Sequence, residues 1–222
     1  MKELMLVGTA ANRPNAIGSM YRLKPGGEWE KLTDFPDDAS VQAITPHPER
    51  FKISFGDSRV MRIAFHPVNP DVMYAVAEIN GFLVSEDGGN TWRGEPEGLF
   101  ELAKLSHLKS RIETDDDAEG VFDAHSVCTT SADPDALFYI CRLGIFESRD
   151  KGKTFRDLEV GKFAPFSYAR DCRSVCDDPK KMYACFSISS RSNAGALYAS
   201  DDLGKNWYRA DSQVNPASTE KT

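Results

Sequence analysis

One short pattern recurs along this chain and limits its folding options more than any other feature. Residues 81–92 read GFLVSEDGGNTW, residues 144–155 read GIFESRDKGKTF, and residues 196–207 read ALYASDDLGKNW. Each copy sets Ser-x-Asp-x-Gly-x-x-aromatic behind a short apolar run. The positions are Ser85, Asp87, Gly89 and Trp92, then Ser148, Asp150, Gly152 and Phe155, then Ser200, Asp202, Gly204 and Trp207. A fourth, decayed copy spans 18–29. It keeps Gly18, Gly26 and Trp29 but carries Arg22 and Lys24 where Ser and Asp stand elsewhere. A repeat of this period marks one supersecondary unit used several times.

The residue types explain what the pattern does. Short Ser and Asp side chains hydrogen-bond the backbone of a turn. Gly accepts the positive φ that such a turn needs, and the aromatic side chain can plug the gap between neighbouring sheets. Asp87, Asp150 and Asp202 are therefore expected to hold hairpins rather than to catalyse anything.

The flanking segments repeat as well. Apolar runs at 71–75, 136–140 and 181–185 precede the three intact copies, with 3–7 matching in the decayed one. Ahead of them stand Pro70, Pro134 and Pro179 in turn-forming Asn-Pro or Asp-Pro pairs. Earlier still come apolar runs at 60–65, 126–130 and 172–176, and a further short run follows each box. Four short strands per unit, separated by turns, make a propeller blade.

The pattern resembles the Asp-box, or bacterial neuraminidase repeat, of β-propellers, and most closely the sortilin-like and photosystem II assembly-factor group. That resemblance implies an all-β chain: a β-propeller of about four Asp-box blades, each of four antiparallel strands. The expected layout is one propeller over 1–211, with blade repeats at about 1–35, 40–98, 123–160 and 170–211, and a polar tail over 212–222. Leu102, Leu105, Leu108 and Ile112 have helical spacing and predict a short helical insert over 101–112. Val41–Pro48 and Val60–Pro67 both read as innermost strands ending in His-Pro, with His47 and His66 in the turns. The strands that should separate them are absent, which suggests a missing blade near 48–59. An incomplete or open ring is expected, and with it a homo-oligomer.

Composition narrows the function. The chain has 222 residues, 27 Lys+Arg against 34 Asp+Glu, and a formal charge of −7. No basic block is present to neutralise phosphates, which argues against nucleic acid as a partner. No run approaches the roughly 18–20 apolar residues of a membrane span, and the start of the chain does not read as a signal peptide. A cytoplasmic location is the expectation. The five cysteines, Cys128, Cys141, Cys172, Cys176 and Cys185, read as small core hydrophobes rather than as disulfide or zinc ligands. Neither a metal nor another cofactor is expected.

The blade pattern also locates a ligand face. Innermost strands begin at the funnel, beside the loops that join second to third strands. Arg59, Arg62, His125, Arg170 and Arg173 gather there as candidate ligand-binding residues, with Asp123 and Asp171 as weak catalytic candidates. Arg, Asp and His converging on a funnel suit an anionic or sugar ligand; strand-end charges also commonly pair only with each other. The favoured reading is a non-catalytic binding or assembly module for a protein or glycan. The alternative is a sialidase-like or xyloglucanase-like glycoside hydrolase, which needs two carboxylates about 5–9.5 Å apart. His107 is expected to face solvent on the insert helix.

Overall fold

The structure is a computed structural model that describes residues 6–8, 20–23, 28–31, 60–78, 81–108, 119–190 and 192–212. These residues form four antiparallel sheets. The first has three strands, β1 (Leu6–Gly8), β2 (Met20–Leu23) and β3 (Trp29–Lys31). The second holds β4 (Val60–Phe65), β5 (Met73–Ala77), β6 (Gly81–Ser85) and β7 (Arg93–Gly94). The third holds β8 (Ala124–Thr129), β9 (Leu137–Cys141), β10 (Gly144–Ser148) and β11 (Arg156–Asp157). The fourth holds β12 (Tyr168–Ser174), β13 (Met182–Ser187), β14 (Gly195–Ser200) and β15 (Tyr208–Arg209). Within each sheet strands pair in chain order, which is the meander of a propeller blade. The expected all-β propeller architecture is what the chain adopts, as an open or partial ring.

The second, third and fourth sheets are joined face to face by apolar layers. Tyr74, Val76, Phe82 and Val84 of the second sheet share one cluster with Val127, Leu137, Tyr139 and Phe146 of the third. Phe138, Ile140 and Ile145 share the next with Met182, Ala184, Phe186 and Tyr198 of the fourth. β5 and β9 are consequently buried at every position, which is why these strands read as continuous apolar runs rather than as alternating ones. Each large side chain so buried contributes about 1.5–3 kcal/mol.

The Ser/Asp turns close β6 to β7, β10 to β11 and β14 to β15 with one hydrogen-bond pattern. Ser85 Oγ donates to Asp87 Oδ1 (2.8 Å) and accepts the Gly89 N–H (2.9 Å). Asp87 then takes the Thr91 N–H on Oδ1 (2.9 Å) and the Thr91 hydroxyl on Oδ2 (2.6 Å). Asp150 repeats this with Thr154, and Asp202 with Asn206. The short polar residue just before the aromatic anchor belongs to the motif, a feature the Ser-x-Asp-x-Gly spacing alone did not single out. Two successive residues in each turn have positive φ: Gly88 and Gly89, Lys151 and Gly152, Leu203 and Gly204. The anchor then packs inward, and the Phe155 ring lies 5.8 Å from Phe82 and 5.5 Å from Tyr139.

These turns predict an acid limb of stability. The hydroxyl and N–H of Thr91 pull the Asp87 carboxyl down to about 2. Burial raises Asp150 and Asp202, but their hydrogen bonds outweigh it and both end below the ordinary carboxylate range. A depressed folded pKa gives stability that is complete above the unfolded value of roughly 3.9 and lost as pH falls through the folded one. The melting temperature is expected to drop between about pH 4 and pH 2. In the Asp87→Asn, Asp150→Asn, Asp202→Asn variant that drop is expected to be shallower. An equally steep drop in thermal scans of the variant would remove the box carboxylates from this role.

Several expectations need correction. The helix is α1 at Glu97–Ala103, not 101–112, because Pro96 supplies its N-terminal start and Leu99, Leu102 and Ala103 form its buried face. Beyond it the chain turns, which buries Leu108 but leaves Leu105 exposed. A second short helix, α2, spans Glu119–Phe122. His107 faces solvent as expected, but from the turn after α1 rather than from the helix, and its Nε2 meets Asp157 at 2.8 Å. Cys128, Cys141 and Cys172 are buried, whereas Cys176 and Cys185 are exposed. Ile112, Val41–Pro48, the segment near 48–59 and the tail from 213 lie outside the described residues. His66 behaves as a turn residue, with Nδ1 accepting the N–H groups of Val68 and Asn69.

Candidate functional site

The inner strands β4, β8 and β12 carry the same irregularity near their starts. Val60 pairs with Ala77 and Arg62 with Val76, so Met61 is skipped. His125 is skipped between Ala124 and Ser126, and Arg170 between Ala169 and Asp171. A β-bulge of this kind re-aims a side chain away from the regular alternation. Here the three bulged residues, Met61, His125 and Arg170, come from successive sheets and all line one cleft of about 670 Å³.

The floor of that cleft is a charged cluster. His125 Nδ1 lies 2.6 Å from the Ala169 carbonyl, which can only accept, so Nδ1 carries the proton. Its Nε2 faces Asp123 Oδ2 at 3.7 Å, and Arg142 Nε meets the same oxygen at 3.5 Å. Burial raises the Asp123 pKa, but His125, Arg142 and Arg170 together leave the carboxyl below its ordinary range. Arg142 is only 7% exposed, held in the hairpin between β9 and β10. The walls are aromatic and apolar. Tyr168 packs against His125 with centroids 4.9 Å apart, and the Arg170 guanidinium lies 4.9 Å from the Tyr168 centroid. Arg170 also donates to the Ser190 carbonyl at 2.7 Å. Phe166 and Leu143 complete the walls, and Ile188 stands at the rim with 60% of its surface exposed.

The predicted candidates divide into two groups. Asp123, His125 and Arg170 come together in the cleft. Arg62, Asp171 and Arg173 form a separate knot that does not line it. Asp171 Oδ1 accepts from Ser126 Oγ (2.6 Å) and the Cys172 N–H (2.9 Å), while Oδ2 faces Arg173 Nε (2.9 Å) and Arg62 Nη2 (3.4 Å). On β4 the bulged residue Met61 lines the cleft, while its neighbour Arg62 turns to Asp171 in the knot. Arg59 lies outside the described residues.

Met61, Arg142, Tyr168 and Glu78 line the cleft without having been singled out in the sequence. Arg142 could have been found, since it occupies a loop between second and third strands. Met61 could not, because a bulge is a property of pairing. Among the described residues no group of three or more His, Cys, Asp and Glu is placed to hold a metal ion, and no helix is long and apolar enough to cross a membrane.

No protein-family model and no curated protein matches the chain. Among solved structures it is similar to YCF48 from Cyanidioschyzon merolae, at 17% identity, 68% of this chain, 37% of that one and a TM-score of 0.44. It is also similar to a GH74 enzyme from Niastella koreensis, at 14% identity, 90% and 27% coverage and a TM-score of 0.49. The GH74 xyloglucanase from Xanthomonas campestris gives 15%, 93%, 36% and 0.41. The chain spans well under half the length of each of these structures.

Proposed function

We propose that this chain is an Asp-box propeller module of the sortilin-like and assembly-factor type, and that its funnel-face cleft binds a protein or glycan partner without catalysis. The observation that supports the reading is the convergence of Met61, His125 and Arg170 from three successive bulges on one cleft with an exposed apolar rim. Repeated backbone irregularities that deliver one apolar, one aromatic and one cationic side chain suit recognition of a mixed surface. The carboxylate pair nominated for hydrolysis does not support the enzymatic alternative. Asp123 lines the cleft, but Asp171 is taken up by Ser126, Cys172, Arg62 and Arg173.

The test uses immobilised peptide and glycan arrays, with a panel of aryl-glycosides run in parallel. Binding to array members is expected to weaken roughly tenfold in Arg170→Ala, as suits the loss of one charge-assisted contact. No aryl-glycoside is expected to turn over. Hydrolysis abolished by Asp123→Asn would overturn the binding reading in favour of a glycoside hydrolase.

A further inference from the structure

The fourth sheet leaves partly exposed on one face what the second and third sheets bury. Taking the box serines Ser85, Ser148 and Ser200 as a common origin, the paired registers align three sheets residue by residue. Tyr74, Phe138 and Tyr183 are equivalent, as are Val76, Ile140 and Cys185, and likewise Phe82, Ile145 and Leu197. In the second and third sheets this row lies in the apolar layer against the following sheet. In the fourth sheet the same row remains largely apolar but is not fully covered. Tyr183 and Leu197 are half-buried, Cys185 is exposed, and Tyr208 on the adjacent β15 is 46% exposed. β13 alternates between buried and open positions where β5 and β9 are buried throughout.

A row placed in the register of sheet-on-sheet packing calls for the opposite row of another blade. On the third and fourth sheets that opposite row contains Leu137, Phe146 and Phe155, then Met182, Tyr198 and Trp207. In the first sheet the same register positions fall on Leu6, Met20 and Trp29, since Leu6 pairs with Arg22, which occupies the box-serine position. We propose that the exposed face of the fourth sheet docks the first sheet of a second copy of this chain. The contact is head-to-tail, and such a contact closes only if the rotation per copy permits it. Two copies with four described sheets each would reach the upper end of the roughly 4–8 blades at which propellers close, so a dimer is the expected product.

The full chain carrying Cys176→Ser is followed by sedimentation velocity over roughly 1–100 μM, together with the rate at which Cys185 reacts with a maleimide. A concentration-dependent dimer that slows Cys185 labelling at least tenfold is the expected result. Leu197→Asp and Met20→Asp, one on each side of the contact, are each expected to weaken association at least tenfold. Mixing the two variants is expected to restore association, because each retains the face that the other has lost. Circular dichroism and a melting curve identify a variant that fails to fold, in which case the wild-type labelling rate against concentration decides alone. A monomer at every concentration with freely reactive Cys185 overturns the proposal. So does a monomer whose Cys185 is protected until Met20→Asp or Leu197→Asp releases it, since the chain's own first sheet would then be the occupant. Association that survives Met20→Asp places the contact elsewhere and also overturns it.

Discussion

Gly152→Ala is expected to destabilise the chain by about 3 kcal/mol or more, through two additive costs. Gly152 sits at φ +89°, in the left-handed region that a Cβ disfavours by about 1–2 kcal/mol. Its added Cβ would also stand 2.1 Å from Phe82 Cε1 and 2.6 Å from Cδ1. The Phe82 ring has no room to withdraw, being 1% exposed and packed among Tyr74, Tyr139 and Phe155. Overpacking of this kind costs typically 1–3 kcal/mol in addition. The melting temperature is expected to fall by roughly 6–12 °C, on the scale for a chain of this size.

Gly204 supplies the control. It has φ +77°, but its Cβ would meet Trp207 at 3.3 Å and Leu158 at 3.4 Å, so strain dominates and the loss is smaller. Equal midpoints for the two variants in urea unfolding would show that the Phe82 contact does not matter. The contrast has a plain origin: the box turn of the third sheet is pressed onto the ring supplied by the second.

Asp171→Ala is expected to cost about 2 kcal/mol, below the usual loss for one partner of a fully buried ion pair. Burial pushes the Arg62 pKa down, and Asp171 is the charge that counters this. Removing the carboxylate strands a guanidinium that is largely enclosed. The discount reflects Asp171 itself, whose side chain is 32% exposed and partly screened. Arg62→Met in the Asp171→Ala background is expected to recover part of the loss, because the stranded charge goes with it. If the second change adds to the first in chemical denaturation, the pair is not the source of the effect. The result also bears on function, since Asp171 then acts on stability and belongs to the joint between inner strands. Thr129 Oγ1 donating to the Phe65 carbonyl and Ser174 Oγ donating to the Thr129 carbonyl serve the same joint.

The hairpins were legible from residues alone because their chemistry is local. Ser85, Asp87, Gly89 and Thr91 satisfy one another within seven residues, so the spacing in sequence is already the spacing in space. The blade strands were legible for a related reason: sheets covered on both faces write continuous apolar runs such as 137–141. The helical insert was misplaced because its Leu spacing continues past the point where the chain turns away.

The cleft was only half legible. His125, Asp123 and Arg170 could be nominated from their place at strand starts, yet Arg62 and Arg173 carried the same signature and went elsewhere. A bulge shifts the face of every residue before it, and its position depends on pairing across β4 to β5, β8 to β9 and β12 to β13. Whether a charged strand-end residue meets a ligand or a counter-charge is decided by the neighbouring sheet, as Asp171 decides it for Arg62. By itself the sequence determined the repeated Ser/Asp hairpin and the all-β blade, because those rest on contacts within one unit. Only the tertiary structure decided which side chains share the cleft and which face of the fourth sheet stays open, because those rest on contacts between units.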